Sequence, residues 1–222
     1  MNMFQRNVQF WGKEKQQKLS ESSVLVAGVG GLGCLVAEGL TRAGIGKLIL
    51  IDNGKVEISN LNRQILFDQT DFGKSKVKIA QRRLKAINPE LEIEIFQVDI
   101  AEMKVKDLPL YDGIADCLDN FAARFYLEKL LSKQQFLVHG GVQNDFGQVT
   151  TIIPDKTQSL KEIYPGTHIP VSVSVIPQIV MLIGSLMIQE IINNLFDKPL
   201  LINSMLILEL EDFSMFKVEL KK

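Results

Sequence analysis

The stretch Val24–Asp52, VLVAGVGGLGCLVAEGLTRAGIGKLILID, constrains the fold more than any other part of the chain. An apolar run, VLVAG, enters the turn Gly28-Val29-Gly30-Gly31-Leu32-Gly33. An apolar helical run follows to Gly44, and a second apolar run, KLILI, ends on Asp52. Short apolar runs bounded by glycine read as buried strands, so the segment is one βαβ unit. Among Gly28, Gly30, Gly31 and Gly33, one glycine permits the tight turn. Another lets backbone amides approach a phosphate, and another lets helix and strand pack closely. The helix N-terminus offers unpaired N–H groups to an anion. Asp52 lies about 20 residues on, where an acid meets ribose hydroxyls. A bare G-x-G-x-x-G can be a purely structural turn. Between two strands and with its acid in place, it predicts a nucleotide site, without saying which nucleotide.

The rest of the chain continues the alternation. Residues 3–19 read as a helical arm, with Phe4, Val8 and Trp11 at helical spacing, packing on the fold or on a partner subunit. Residues 53–62 have loop chemistry. Gly73–Ile87 is an amphipathic helix ended by Asn88-Pro89. LEIEIFQVDI alternates as a strand, YDGIADC is a buried strand, and 121–133 is a helix. FLVHGGVQ and GQVTTII are separated only by NDFG, too short for a crossover, which predicts an antiparallel hairpin. Residues 154–170 are irregular, a helix runs from about Ser172 to Asn194, and LLINSMLILEL and FSMFKVEL form an antiparallel tail. The expected fold class is α/β: a Rossmann-like doubly wound sheet, parallel in its N-terminal half and mixed or antiparallel in its C-terminal strands. One domain covers 1–222. It divides into the arm (1–20), the nucleotide-binding core (21–153), a crossover loop (154–172) and a helix with antiparallel strands (173–222).

Composition excludes several classes. A net charge of −1 suggests no nucleic-acid-binding surface. Ile169–Gln189 carries no charge and is long enough to span a bilayer, but it contains Pro170, Pro177, Gln178 and Gly184. It reads as a buried core helix, and no membrane is expected. The N-terminus has no signal-peptide h-region. Cys34 and Cys117 read as core thiols in a reduced compartment, so the expected location is cytoplasmic.

Ligands of an open α/β sheet bind outside the carboxyl ends of its strands. Asn60, Arg63 and Gln64 gather there. Arg63 suits bidentate phosphate binding, and Lys76 starts a helix that can return to the same edge. Asp119, just past a buried strand, is placed to hold Mg²⁺ against phosphates. Each also has a plain reading: Arg63 as a surface arginine, Lys76 as one of several basic residues on a solvated helix, Asp119 or Asn120 as a helix N-cap. His139 and His168 have no acid partner visible in the sequence.

VLVAGVGGLG, LILIDNGKVEISNLNRQ, FGKSKVKIAQRRLKAINP and DCLDN occur in the order and spacing of the ThiF/MoeB/HesA family, relatives of the ubiquitin-activating enzymes. HGGVQNDFGQVT and the PQ…IGSLMIQEI helix fit as well, so the resemblance covers nearly the whole chain. It implies an adenylyltransferase that joins a carboxylate to the α-phosphate of ATP and releases pyrophosphate. The acceptor it implies is the C-terminal glycine of a ubiquitin-like sulfur-carrier protein of the thiamine or molybdopterin type. By resemblance Asp52 holds the ribose, Arg63 and Lys76 contact the phosphates, Asp119 binds Mg²⁺, Asn60 and Gln64 line the site, and the glycine turn cradles the adenosine. A homodimer is implied, with an arm arginine reaching the neighbour's site.

The chain departs from that pattern in four places. The cysteine pairs of zinc-binding relatives are absent, so no zinc is expected. GTHIPVSVSVIP lacks the crossover cysteine, so the reaction is expected to stop at the adenylate. Val8 stands where the arm arginine would be, leaving Arg6 as its substitute. Gly54 replaces a common second acid. The missing cysteines loosen the tie to sulfur transfer and leave a small-molecule carboxylate as alternative acceptor, such as the guanylylpyridinol precursor of the iron-guanylylpyridinol cofactor. An NAD-dependent oxidoreductase would leave Arg63, Lys76 and Asp119 unused. A non-catalytic nucleotide-binding scaffold would tolerate Val8 and Gly54.

Overall fold

The structure, a computed structural model, describes residues 3–167 and 174–220. Its strands are β1 (Ser23–Ala27), β2 (Lys47–Ile51), β3 (Glu92–Phe96), β4 (Gly113–Asp116), β5 (Phe136–Gln143), β6 (Phe146–Ile152), β7 (Ser204–Glu209) and β8 (Ser214–Glu219). They form one sheet in the order β3-β2-β1-β4-β5-β6-β7-β8. Strands β1 to β5 pair in parallel, and β6, β7 and β8 add antiparallel. The fold is therefore the expected Rossmann-like sheet, parallel and then antiparallel, with its topological switch beside β1.

The helices are α1 (Gln5–Trp11), α2 (Lys13–Ser20), α3 (Gly31–Ala43), α4 (Lys76–Ile87), α5 (Phe121–Glu128), α6 (Leu160–Ile163) and α7 (Pro177–Leu195). Strand residues point alternately to the two faces, and this splits the core. Val24, Val26, Leu48, Leu50, Val138 and Val149 pack with residues of α3, α4 and α7. Leu25, Ala27, Ile49, Ile51, Ile114 and Leu137 pack with α5 and α6. Helix α7 is long and apolar enough to cross a membrane by length and composition. Here it lies on α3 and the β5–β6 hairpin, as the sequence predicts for a core helix. A Cβ on Gly140 would lie 2.2 Å from Met187 Sδ, and one on Gly147 equally close to Ile183 Cγ1, so these glycines let α7 settle on the sheet. Glu190 of α7 is buried, accepting from Thr151 Oγ1 at 2.9 Å and from the Leu201 amide at 2.8 Å.

Several boundaries differ from the sequence expectation. The arm is two helices because Gly12 breaks it at φ 88°, a conformation open to glycine. Helix α4 starts at Lys76, not at Gly73. The 73–76 segment instead pairs with 54–56: Gly73 N donates to Val56 O, Val56 N to Lys74 O, and Lys76 N to Gly54 O. Helix α5 ends at Glu128, and α7 begins at Pro177, whose fixed φ suits a first helical position. Ser172 and His168 lie outside the described residues.

Candidate active site

The glycine turn connects the carboxyl end of β1 to α3, and its glycines do separable work. Gly28 has φ 85°, and a Cβ there would meet Cys117 O at 2.8 Å. A Cβ on Gly33 would lie 1.8 Å from Gly28 O, so this residue is the close-packing glycine. A Cβ on Gly31 would lie 3.4 Å from Arg63 Cγ and 3.1 Å from Val180 Cγ1; the Arg63 stem thus lies across the start of α3. Gly30 is open: a Cβ there would find only Gln64 Nε2, at 3.8 Å.

Asp52 is bound into this turn. Its Oδ2 accepts from Val29 N at 2.7 Å and its Oδ1 from Gly54 N at 2.6 Å. Gly54, where the resemblance expects a second acid, borders the same group. A Cβ on Gly54 would lie 2.9 Å from Asp52 Oδ1 and 3.5 Å from Lys76 Nζ, so a side chain at 54 would enter the space that these two flank.

Asn60 closes the loop that delivers Arg63 and Gln64. Its carbonyl accepts from both their amides, and its Oδ1 accepts from Glu57 N at 3.3 Å. Gln64 is 3% exposed, and its Oε1 has no hydrogen-bond partner. A buried acceptor left unpaired costs about 1–3 kcal/mol. The other end of the same amide, Nε2, is the atom nearest to the open Gly30. Lys74, Arg82 and Arg83 all pair with the buried Asp71, and Arg83 also with Asp68. Arg63 and Lys76 have no such carboxylate partner among the described residues; Arg63 Nη1 donates only to Ser59 O at 3.1 Å and Asn62 Oδ1 at 2.8 Å. Arg63 thus lies over the N-terminus of the 13-residue α3, and Lys76 lies beside Gly54 and Asp52.

Asp119 follows β4 and is exposed, with Asn120 Nδ2 donating to its Oδ1 at 3.4 Å. The cap of α5 is Asn120, whose Oδ1 accepts from Ala123 N at 2.8 Å. The Asp119 carboxylate is therefore not the cap of α5. Arg6 is not brought to this site. Asn7 Nδ2 donates to Arg42 O and Ala43 O, pinning α1 to the C-terminal end of α3, about 20 Å of helix from the glycine turn. Arg6 is exposed there, and Val8 is half-buried on the same helix.

Sequence reasoning missed a buried network under the Asp119 turn. Asp116 and His139 are register partners on β4 and β5, both fully buried, with His139 Nδ1 2.7 Å from Asp116 Oδ2. The acid partner that was invisible in sequence is therefore Asp116. His139 Nε2 lies 3.1 Å from Tyr164 Oη, which accepts from Gln148 Nε2 at 2.5 Å. Burial lowers the imidazole pKa below its ordinary 6.5; the Arg124 charge adds to this and Asp116 opposes it. A neutral ring facing a carboxylate carries its proton on Nδ1, so Nε2 accepts from Tyr164.

This predicts a pH signature. Below 6.5 the unfolded chain takes up a proton that the folded chain resists. Stability is therefore complete above 6.5 and is lost as pH falls toward the depressed folded value, by up to about 1.4 kcal/mol per pH unit. Thermal melts of wild type and His139→Gln across this range should converge as pH falls. Parallel curves would show that His139 does not carry the effect.

With the geometry defined, the relatives are informative. The ThiF family model matches residues 4–222. The chain belongs to the ThiF family. It is 39% identical over 142 residues to the sulfur carrier protein adenylyltransferase of Thermus thermophilus, covering 62% of this chain and 52% of that protein. It is 42% identical over 110 residues to the sulfur carrier protein ThiS adenylyltransferase of Escherichia coli, covering 49% of this chain and 44% of that one. The chain thus spans about half the length of these ThiF-family relatives. The crystal structure of E. coli MccB superposes with a TM-score of 0.85 at 22% identity, over 100% of this chain and 73% of MccB, which shows a shared fold. The family agrees with the fold read from the sequence and with its resemblance to ThiF/MoeB/HesA.

Proposed function

We propose that this chain is an ATP-dependent adenylyltransferase that activates a carboxylate as an acyl-adenylate and releases pyrophosphate. The carrying observation is a pair of cations without a carboxylate partner among the described residues, Arg63 over the start of α3 and Lys76 beside Gly54 and Asp52, together with the orphaned Gln64 Oε1. Named activities of family relatives support the same chemistry.

A carboxylate is ionised at neutral pH and needs no general base. Its oxygen bonds to the α-phosphorus as the α–β bridging bond breaks, and pyrophosphate leaves with the electron pair. The barrier is repulsion between anions and charge build-up on the leaving group. Fixed cations and positioning therefore carry catalysis. Asp52 holds the ribose, Gly30 admits the phosphates to the amides of α3, Gln64 and Asn60 line the pocket, and Arg63 and Lys76 neutralise the phosphates. The donor set also fits Mg²⁺, a hard cation that takes carboxylate and phosphate oxygens: Asp119 is an exposed carboxylate at the same edge. Mg²⁺ held there supplies positive charge against the phosphate oxygens.

The acceptor we propose is the C-terminal glycine of a ubiquitin-like sulfur-carrier protein. The outer edge of the sheet supports a protein acceptor: β8 is paired on one side only, and Phe213, Met215, Phe216 and Val218 are exposed along it. The missing crossover cysteine favours a second reading in which a small-molecule carboxylate is the acceptor. Homodimerisation belongs to the proposal too, supported by Arg6 lying away from its own site and by exposed Ile176, Met181 and Leu182 on and beside α7. A cytoplasmic location is supported by Cys34 and Cys117, free and buried; burial pushes the Cys34 thiol up to about 12. Incubation with ATP and candidate carriers, read by intact mass, tests the acceptor. A carrier adenylate that disappears when the terminal glycine is deleted is the expected result. Adenylates formed only from small carboxylic acids would reject the carrier.

A further inference from the structure

Among the described residues the Asp119 side chain is anchored only by the Asn120 amide, yet the backbone before it is held on both sides. Both polar groups of the preceding residue, Leu118, are taken by buried side chains. Its N–H donates to Asp116 Oδ1 at 3.2 Å. Its carbonyl accepts from Arg124 Nε at 3.1 Å and Nη2 at 2.6 Å. The Asp116 rotamer is fixed in turn by His139 on Oδ2, and the His139 ring by Tyr164. Tyr164 directly follows α6, and its ring packs on Phe121, the first residue of α5, at 5.1 Å between centroids. The Arg124 guanidinium lies over that same Phe121 ring, 5.2 Å from its centroid. Glu128 Oε2 accepts from Leu160 N at 2.9 Å, a second tie between α5 and α6. Each donor in this chain has its acceptor: Gln148 to Tyr164, Tyr164 to His139, His139 to Asp116. A fully satisfied buried network of this kind specifies one geometry, and removing one member leaves its neighbours unpaired.

We propose that Tyr164 and His139 are positioning residues for the metal-binding turn: through Asp116 and Arg124 they hold Leu118, and so aim the Asp119 carboxylate at the metal–nucleotide. The proposal rests on the reading of Asp119 as the Mg²⁺ ligand. It adds that the position of α6, through Tyr164, sets how well that ligand is presented.

The variants that isolate the relay are conservative. Tyr164→Phe keeps the ring on Phe121 and removes the hydroxyl. His139→Asn keeps a donor toward Asp116 and loses the acceptor toward Tyr164. Each is titrated by calorimetry with α,β-methylene-ATP, with and without Mg²⁺, alongside wild type and Asp119→Asn. Amide hydrogen exchange of 117–120 is followed in parallel. Wild type should bind more tightly with Mg²⁺, and Asp119→Asn should lose that gain. Tyr164→Phe and His139→Asn should keep the metal-free affinity, lose about tenfold of the gain, and exchange faster at 117–120. An unchanged gain in both variants, with the gain lost in Asp119→Asn, overturns the relay and leaves the site reading standing. An equal loss with and without Mg²⁺ also overturns it, since it would show only a general structural role. A gain retained in Asp119→Asn overturns both the ligand assignment and the relay.

Discussion

Arg63→Ala and Lys76→Ala each lower ATP–pyrophosphate exchange by about a hundred- to a thousandfold, while the melting temperature stays within about 2 °C of wild type. The size follows from what each cation does. Neither is neutralised by a carboxylate among the described residues, whereas Lys74, Arg82 and Arg83 are spent on Asp71. Arg63 and Lys76 are therefore free to meet charge that builds on a leaving pyrophosphate, and preorganised charges of that kind commonly supply about 3–4 kcal/mol. Stability is expected to survive because both heads make few internal contacts. Arg63 donates only to Ser59 O and to Asn62 next to it, and its stem remains modest packing over Gly31. Arg63→Lys should recover only part of the rate, since an ammonium cannot make the planar, two-pronged contact of a guanidinium. By contrast Arg82→Ala, which removes one of three cations from Asp71, should leave exchange near wild type. Full exchange in Arg63→Ala and Lys76→Ala would remove both residues from the phosphate site.

Gly33→Ala unfolds the domain or costs it several kcal/mol, while Gly30→Ala folds and loses nucleotide affinity. At position 33 the new methyl would sit 1.8 Å from Gly28 O, a backbone atom that cannot yield without moving β1 away from α3. Overpacking costs about 1–3 kcal/mol where side chains can shift, and more where the obstacle is backbone. At position 30 the nearest atom to the new methyl is the flexible end of Gln64, 3.8 Å away. Gly30 has φ −93° and ψ −144°, outside the main regions of L residues, so Ala there carries some backbone strain but meets no backbone atom. A ligand's phosphate leaves no room for that methyl, if it packs on this backbone. Urea unfolding paired with ATP binding separates the two glycines. Equal losses of stability in both variants would show that the whole turn is structural.

The βαβ unit was legible because its signals are local: strand apolarity, glycine conformation and the spacing to Asp52 all lie within one stretch. The 53–64 loop could be assigned to the site edge because it follows β2 directly. What escaped notice depended on pairing across the sheet. Asp116 and His139 are 23 residues apart in sequence and meet only because β4 and β5 pair in parallel at that register. The clue in the sequence was a polar residue in each of two otherwise apolar strands, IAD and LVH, at matching depth. The start of α4 was misplaced because the basic, amphipathic pattern runs back to Gly73, while the backbone of 73–76 is committed to pairing with 54–56. Gly54 looked like a lost acid. In the fold it lies beside Asp52 Oδ1 and Lys76 Nζ, and the approach of Lys76 is a contact between segments that no local pattern records. Arg6 was grouped by resemblance with a neighbouring subunit's site; within its own chain the arm docks on the far end of α3.

The central claim is that the crevice beside β1 is an ATP site at which a carboxylate displaces pyrophosphate. The most direct measurement is incorporation of labelled pyrophosphate into ATP by the purified chain, with ubiquitin-like carriers and small carboxylic acids supplied in turn. The expected result is exchange that requires a carboxylate acceptor and collapses in Arg63→Ala. Nucleotide binding without exchange under any of these acceptors, or exchange unaffected by Arg63→Ala, would contradict it.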